Sequence, residues 1–385
     1  MSHKTPKRVA LLLGQDLGYS RRVLSGVLGY SESHRLDWIY HNAPPDIRIL
    51  PALERWRPHG VVVHLADRTL AEGLSRLSVP MISVTNTIED ATIPFVDVDS
   101  EAVGRMAAEY FLGRGFRSFA YFGSRRVSFS QNREKGFRTV LEKKGYRVSN
   151  FHANFLPYPP LSQDWSRYDR QTERWLKQLP KPVGVLASND IPGRSLCELC
   201  RNAGIRVPEA VAVLGVDNDE SECRMSFPTL SSIDIPAEAV GRTAMESLAK
   251  LMKGGQPPPA ATFLPPVGLI ARSSTDWLAP RDPILGKALQ IIEEESDRGI
   301  GVEAVCESLG VSRRNLERRF RSELGIGVHE RIQTVQVARA KRLLLESNLR
   351  ISEVAERTGF GNLRRFDRVF RQVEGCQPSE YRRLR

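Results

Sequence analysis

Arginine recurs in this chain in a pattern suited to a polyanion. Ser312-Arg-Arg-Asn-Leu316-Glu-Arg318-Arg-Phe320-Arg321 and Asn362-Leu-Arg-Arg-Phe366-Asp-Arg368-Val-Phe370-Arg371 align cap on cap, apolar on apolar and arginine on arginine, fifty residues apart. A planar guanidinium can donate two parallel hydrogen bonds to a guanine edge or to a phosphate. Arg313, Arg314 and Arg318, with Arg364, Arg365 and Arg368, are the candidates for such contacts, those near the helix starts for bases and those further along, with Arg321 and Arg371, for phosphates. One copy alone would read equally well as a solvated charged face; two copies in register make that reading poor.

A second chemistry sits in the first two-thirds. Polar clusters stand directly after strand-like apolar runs: Gln15-Asp16-Leu-Gly-Tyr19-Ser-Arg21, Ser188-Asn189-Asp190 and Asp217-Asn218-Asp219. Carboxylates accept pairs of hydrogen bonds from hydroxyls and arginine donates pairs to ring or hydroxyl oxygens, which suits a sugar. Tyr19, Phe129 or Trp165 can cover the apolar face of its ring. Taken singly, an Asp or Asn after a strand is usually a turn or cap residue; their recurrence on successive strand ends favours a site.

Around each arginine-bearing segment the elements spell helix-turn-helix. Short amphipathic runs, Val302–Leu309 and Ile351–Thr358, end at Gly310 and Gly359, and Ser312 and Asn362 stand where an N-cap oxygen meets the free amides of the next helix. Leu316/Phe320 and Phe366/Phe370 recur at i, i+4 as the buried stripe. Between the copies His329–Glu346 reads as one helix with Ile332, Val335, Ala338 and Leu344 inward. At about 1.5 Å per residue it spans roughly 27 Å, which approaches the roughly 34 Å between successive major-groove faces of B-DNA.

Upstream, β-rich runs at Val9–Leu13, Asp37–Tyr40, Val61–Leu65, Met81–Val84, Phe119–Phe122, Val183–Ala187 and Val211–Val216 alternate with helical patterns. Such alternation predicts parallel sheets covered on both faces. Ile93–Asp99 leading into a helix at Ser100–Gly113 with Ser100 as cap, Leu230–Pro236 leading into Ala237–Met252, and Thr262–Ala271 read as three crossings between two lobes. A ligand then belongs in the cleft at the strands' carboxyl ends. Arg272–Pro283 reads as a connector, and the helix Ile284–Glu295 buries Leu285, Leu289 and Ile292.

Bulk properties agree. The 385 residues imply two to three domains. The net charge is +11, and residues 313–385 hold 18 Lys/Arg against nine Asp/Glu, so most of the excess lies on the repeat, as a nucleic-acid partner requires. The N-terminal segment is polar and basic and runs into an apolar stretch of only Val9–Leu13, which is not a secretory signal. Nowhere do about 18 apolar residues run together, so no membrane span is expected. Five cysteines, an odd number, suit a reducing cytoplasm. Cys197 and Cys200 form a CxxC without a second pair, and packing is the better reading than a metal site. No metal and no cofactor is expected.

The C-terminal residues also match a family. Phe360, Phe366, Phe370, Gly375, Pro378, Tyr381 and Arg382 have the order and spacing of the closing signature of AraC/XylS-type transcription regulators, and the resemblance covers residues 284–385. It implies two recognition helices in adjacent major grooves of double-stranded DNA, with Ser312, Arg313, Arg314, Asn315 and Arg318 on one half-site and Asn362, Arg364, Arg365 and Arg368 on the other. Arg365 departs from the aromatic or polar residue usual before the first phenylalanine. Ser188-Asn-Asp190, the strand end at Asp217 and Ser-Ser-Ile-Asp-Ile-Pro236 resemble the effector domain of LacI/GalR regulators and periplasmic sugar-binding proteins. That resemblance implies Asn189 or Asp190, Asp217 and Arg133 as sugar contacts, Asp190 and Asp217 before the others; Asp16, Tyr19 and Arg21 join them from the residue pattern alone.

The expected architecture is therefore a bilobed α/β periplasmic-binding-protein-like domain with two parallel sheets at 1–275, a linker at 276–283, and an all-α domain with two helix-turn-helix motifs at 284–385. This order, with Leu264-Pro-Pro-Val and Arg272-Ser-Ser-Thr-Asp276, resembles regulators of sugar catabolism over essentially the whole length. The resemblance implies a pentose effector, xylose among the candidates, an activator acting as a homodimer, and RNA polymerase as a further partner. Sugar binding is expected to close the lobes and shift the DNA modules of the dimer. No residue is expected to be catalytic: GxSxG, a phosphate loop and a dinucleotide fingerprint are all missing, and His329-Glu330 lacks the second histidine of a zinc peptidase. A regulator answering another metabolite, or none, stays open at this stage. A transport-type binding protein fits poorly with the basic repeat.

Overall fold

Short β-branched runs become strands and the longer amphipathic segments become helices in the computed structural model, which describes residues 6–14, 17–65, 67–85, 87, 93–153, 165–256, 259–277, 282–346 and 349–382. The chain divides into two compact units, Met1–Trp277 and Leu278–Arg385. In the first, β1 (Lys7–Leu12), α1 (Gly18–Ser33), β2 (Trp38–Ala43), α2 (Leu50–Trp56), β3 (Gly60–Val63), α3 (Arg68–Ser75), β4 (Met81–Ser83) and β5 (Phe95–Val98) are followed by α4 (Ser100–Gly113), β6 (Ser118–Gly123), α5 (Ser128–Lys143) and β7 (Val148–His152). Then come α6 (Trp165–Gln178), β8 (Val183–Ala187), α7 (Asp190–Asn202), β9 (Val211–Asp217), α8 (Glu220–Met225), β10 (Ser231–Asp234), α9 (Ala237–Leu251), β11 (Ala261–Leu264) and β12 (Gly268–Ile270).

Two six-stranded sheets result, ordered β11-β5-β4-β3-β1-β2 and β12-β10-β9-β8-β6-β7. Every pair is parallel except β10 with β12 at one edge. The central strands are buried on both faces, as Gly60–Val63 and Val183–Ala187 are throughout, which is why they read as unbroken apolar runs. The chain passes from one sheet to the other after β5, after β10 and between β11 and β12, the three places where Asp97, Asp234 and Pro266 follow short apolar stretches. β7 carries no such run. It is an edge strand whose Ser149, Asn150 and His152 are half-buried or exposed, so its sequence gave little periodic signal.

Helix α4 begins where the pattern predicts, but its cap is Asp99, which accepts from the Ala102 amide at 2.8 Å. Ser100 lies one residue inside the helix. A carboxylate outcompetes a hydroxyl here because it also meets the helix's positive end.

Each lobe contains one helix pair in backbone contact, α1 with α9 and α4 with α5. The contact is made by glycines. A Cβ on Gly26 would lie 1.9 Å from the Glu238 carbonyl oxygen, one on Gly241 2.0 Å from that of Val23, one on Gly104 2.1 Å from that of Arg133, and one on Gly136 2.0 Å from that of Glu101. The last two pairs matter for function, because α5 carries Arg133.

The second unit is helical: α10 (Pro283–Glu295), α11 (Val302–Leu309), α12 (Arg313–Leu324), α13 (Val328–Glu346), α14 (Ile351–Arg357), α15 (Leu363–Glu374) and α16 (Pro378–Arg382). Residues 278–281, inside the expected linker, lie outside the described residues. Helix α10 packs on α11, α12 and α13, while α14, α15 and α16 pack on the other part of α13. Val337, Ala340, Leu344, Val354, Phe360, Phe366 and Phe370 share the second core. Ala338, expected inward, is exposed, and Val337 and Ala340 are buried in its place. The reason is that α13 serves two cores on different sides, so no single 3.6-residue stripe describes it.

Gly136→Ala is expected to destabilise the sensor unit by about 1–3 kcal/mol, because the methyl must push α4 and α5 apart. Gly113→Ala, a helical position with nothing within 4 Å of the added Cβ, should be neutral or stabilise by up to about 1 kcal/mol. Urea unfolding of the two variants checks this; equal midpoints would remove the close-contact explanation.

Candidate ligand cavity and nucleic-acid interface

Parallel strands leave their loops at their carboxyl ends, and in the sensor unit those ends converge on one cavity of about 140 Å³. From the first sheet come Tyr19 at the start of α1, His64 directly after β3, Thr85 after β4 and Asp97 on β5. From the second come Phe129 and Arg133 on α5, Ser188, Asn189 and Asp190 between β8 and α7, and Asp217 at the end of β9. The expected residues Tyr19, Arg133, Asn189, Asp190 and Asp217 are thus brought together. Asp16 and the side chain of Trp165 lie outside the described residues. Arg21 does not line the cavity; it pairs with Asp219 at 3.5 Å in an adjoining groove, since a residue two positions after Tyr19 on a helix faces elsewhere.

Arg133 is the centre of the arrangement. It is 4% exposed, and its guanidinium donates to the Ser188 carbonyl and, at 3.3 Å, to Asp217 Oδ1. The Phe129 ring lies beneath it at 4.9 Å. Its Nε is buried without a hydrogen-bond partner, and so is Asn189 Oδ1. One unmatched donor and one unmatched acceptor in the same cavity wall form an arrangement that a hydroxyl group can satisfy on both sides.

Asp190 lines the cavity and has a structural role besides. Ser232 Oγ donates to its Oδ1 at 2.6 Å and the Asp219 amide to its Oδ2 at 2.8 Å, so its two oxygens tie β10 and the β9–α8 turn together. Gly215 makes room for it, as a Cβ there would lie 2.2 Å from Oδ1. Asp217 has a left-handed φ of 107°, a conformation that costs about 1–3 kcal/mol outside glycine and gathers at functional sites. Arg22 holds it there by donating to its carbonyl at 2.9 Å, and Ser232 Oγ accepts from the next amide, that of Asn218, at 2.9 Å.

Burial governs the titrations. It pushes the Asp217 carboxyl up to about 6 against the opposing pull of Arg133. It pushes Asp190 well above the carboxylate range, with the Asp217 charge adding to the effect. Burial also lowers His64 to about 4, so its ring is neutral at pH 7 and offers one donor and one acceptor nitrogen. Ser20 Oγ lies 3.3 Å from its Nδ1. The Tyr19 hydroxyl donates to the Val84 carbonyl at 2.6 Å, which leaves its ring, edge-on to His64 at 5.7 Å, as the surface offered to a ligand. His64, Thr85 and Asp97 escaped the sequence reading. His64 was absorbed into the apolar run Val61–Leu65, although the same rule, polar residue after a strand, applies to it.

In the helical unit, α11 ends at Gly310 and α14 at Thr358 followed by Gly359, both glycines left-handed. Ser312 Oγ accepts from the Asn315 amide at 3.3 Å and Asn362 Oδ1 from the Arg365 amide at 2.9 Å, so both are caps. The second turn is one residue longer, by Gly361, and places the buried Phe360 where the first has the half-buried Val311. Leu316, Phe320, Phe366 and Phe370 are buried, and Arg313, Arg314, Arg318, Arg364 and Arg368 are exposed, with Arg365 half-buried. Arg313 pairs with Glu303 at 2.6 Å. Asn315 Oδ1 accepts from Arg319 at 3.0 Å and from Arg318 at 3.4 Å, and Arg319 also pairs with Asp282. Arg319 is therefore structural, whereas Arg314, Arg364 and Arg368 make no ion pair among the described residues.

Cys197 and Cys200 are buried in the apolar core beside Val211 and Leu230, their thiols pushed up to about 12 by burial. No group of metal-ligating side chains occurs among the described residues, and no helix among them is long and apolar enough to cross a membrane.

Comparison with known proteins follows these two sites. Residues 108–275 match the periplasmic binding protein-like domain family, and residues 305–384 match a helix-turn-helix domain family. The xylose operon regulatory protein of Escherichia coli (strain K12) is 28% identical over 382 residues, covering 97% of this chain and 96% of that protein. The xylose operon regulatory protein of Haemophilus influenzae is 27% identical, covering 97% and 98%. The solved structure of a xylose-binding transcription activator covers 100% of this chain and 99% of its own, at 27% identity and a TM-score of 0.75.

The raised carboxyl of Asp217 predicts a pH dependence. In an unfolded chain an aspartate titrates near about 3.9, whereas folded Asp217 keeps its proton to about 6. Its contribution to stability is complete below pH about 4 and is lost as pH rises through about 6. Asp217→Asn should reduce the slope of melting temperature against pH in that window, leaving the remainder to Asp190, and should lower the ligand-free midpoint because Arg133 loses its buried counter-charge. Melts at stepped pH decide the matter; an unchanged slope would show that Asp217 is ionised throughout.

Proposed function

From a chain that belongs to the AraC-type transcription regulators and carries a periplasmic binding protein-like sensor, we propose a regulator of pentose catabolism whose effector is a free pentose, D-xylose before others, held in the sensor cavity. The observation that carries this reading is the pair of unmatched polar atoms, Asn189 Oδ1 and Arg133 Nε, in a wall otherwise lined by Tyr19, His64 and Phe129. Size supports it. At about 140 Å³ the cavity is close in size to one of about 150 Å³ that admits a single six-membered ring.

Charge supports it further. The single cavity arginine is already opposed by Asp217, with Asp97 and Asp190 nearby. A phosphorylated sugar would bring two more negative charges into a space short of cations, whereas a neutral polyol needs only the hydrogen bonds on offer. The relatives named above are xylose operon regulators, and their names support the choice of pentose.

On this reading Arg133, Asn189 and Asp217 touch the sugar, Tyr19 covers its ring, His64 donates or accepts beside it, and Asp190 keeps the floor in place. Residues 1–275 are the sensor, 276–283 the connector and 284–385 the DNA-binding part. Ligand shifts the protein's conformational balance only by the difference in its affinity for the two states, so groups from both sheets must meet the sugar together. Two copies of the chain bind the operator, activate transcription through contact with RNA polymerase, and do so in the cytoplasm. Arg313, Arg314 and Arg318 read one half-site, and Arg364, Arg365 and Arg368 the other.

Isothermal titration with D-xylose, L-arabinose, D-ribose and a sugar phosphate tests the sensor. A pentose should bind and the phosphate should not, and Asn189→Ala should weaken binding by about tenfold or more while leaving the fold intact. Silence towards every pentose, with another metabolite altering operator affinity, would overturn the assignment. For DNA, Arg314→Ala should cost about 1–3 kcal/mol on one half-site if it reads a base. An equal loss on all sequences with a shallower salt dependence would make it a phosphate contact.

A further inference from the structure

Helix α13 has 19 residues, about 28 Å at 1.5 Å each, and both helix-turn-helix motifs pack on it. Length alone does not fix where two recognition helices point, because each motif could still roll or tilt about the shared helix. Something must lock one half against the other.

Gln336 lies near the middle of α13 and is 1% exposed. Its Nε2 donates at 3.0 Å to the Ser296 carbonyl, in the turn after α10, and at 3.0 Å to the Gly359 carbonyl, in the turn of the second motif. One amide thus grips both halves. The two turns also touch directly. A Cβ on Gly359 would lie 2.2 Å from the Ser296 carbonyl oxygen and 2.7 Å from the Gly299 amide nitrogen, and the residue has a φ of +76°. Gly310, its counterpart in the first motif, is also left-handed, yet nothing lies within 4 Å of its Cβ position. The internal repeat supplies its own control: at the same motif position one glycine is needed for backbone conformation alone, and the other also for contact.

Ser296 and Thr358 are fully buried, so the contact is dry. Gln336 Oε1 and Ser296 Oγ are buried there without partners. A residue selected for stability alone would be apolar and would avoid that loss; an amide is useful where two carbonyls must be held at one separation. Beyond Gln336 the same helix reaches both halves, through Arg339 to Asp297 in the turn after α10 at 3.3 Å and through Lys341 to Glu374 on α15 at 2.9 Å.

We propose that Gln336, with Gly359 against Ser296, is the joint that sets the spacing of the two recognition helices, which makes Gln336 a positioning residue for recognition of two half-sites. The proposal rests on the reading that α12 and α15 both enter DNA. The full-length wild-type chain is first used to select duplexes from a random oligonucleotide pool. Gln336→Met, which keeps volume and removes the clamp, is then compared with wild type on the selected duplex, on its isolated half-sites, and on versions with one or two base pairs inserted between them. Gly359→Ala and Gly310→Ala accompany it, with thermal melts of all three.

The expected result is a loss of about tenfold or more on the full site for Gln336→Met and Gly359→Ala, a change within about twofold on isolated half-sites, and a reduced penalty for inserted base pairs. Gly310→Ala should keep the wild-type spacing preference. If Gln336→Met fails to melt cooperatively, the two glycine variants carry the same comparison. Wild-type affinity and spacing preference in the variants, or equal losses on full and half sites, would overturn the joint while leaving the two-groove reading intact. Selection of a single half-site by wild type would overturn that reading, and the joint with it.

Discussion

A full positive charge held almost out of water sets the terms for the sensor. Arg133, 4% exposed, would be untenable between two apolar sheets without partners, and every nearby feature answers to it. Gly104 and Gly136 let the backbones of α4 and α5, the helix that carries the arginine, meet; the end of β8 presents a carbonyl to it; the end of β9 twists into a left-handed conformation where Asp217 faces it. Even so, the arginine only partly offsets the burial of Asp217, whose carboxyl still rises to about 6. The charge pair is therefore under-solvated, and a polyhydroxyl ligand that supplies the missing hydrogen bonds gains from the fold's own deficit. In the proposed function, binding strength and specificity come from the same incompleteness.

The DNA-binding unit solves a different problem with the same economy of parts. Here the charges stay in water, on the outer faces of α12 and α15, where each guanidinium keeps its hydration until a phosphate or base replaces it. What has to be buried is the apparatus that aims them: the phenylalanine stripes, the caps at Ser312 and Asn362, and Gln336 in the joint. Arg319 marks the division within one helix, turned inward to Asp282 and Asn315 while its neighbours Arg314 and Arg318 face out.

Much of this was legible before any coordinates, and the reason is locality. N-caps, turn glycines and i, i+4 stripes depend on residues within one or two turns, so both helix-turn-helix motifs could be read with their boundaries nearly right, and the buried strands announced themselves as apolar runs. What failed depended on distant partners. Ala338 was placed inward by a stripe that α13 does not follow, because two cores pull on it from different sides. Ser100 reads as the cap of α4, but Asp99 one residue earlier takes that place. His64 hid inside an apolar run, and Arg21 was drawn into the site by proximity in sequence to Tyr19, from which the helix turns it away. Asp190 lines the cavity as expected, but only the hydrogen bonds from Ser232 and the Asp219 amide reveal that it also ties β10 to the turn after β9. The contacts of Gln336 are not legible either, because nothing near it in sequence foretells Ser296 and Gly359.

The partition of charge follows the partition of work. Residues 313–385 carry nearly all of the chain's excess of +11, leaving the 312 residues before them close to neutral. A sensor that must discriminate among neutral sugars gains nothing from a long-range field, which would draw in sugar phosphates and nucleotides indiscriminately. A reader of DNA depends on such a field, since released counterions supply most of its sequence-independent affinity and the base contacts add specificity on top. Separating the two on one chain lets the sensor's affinity stay insensitive to salt while the DNA affinity falls steeply with it.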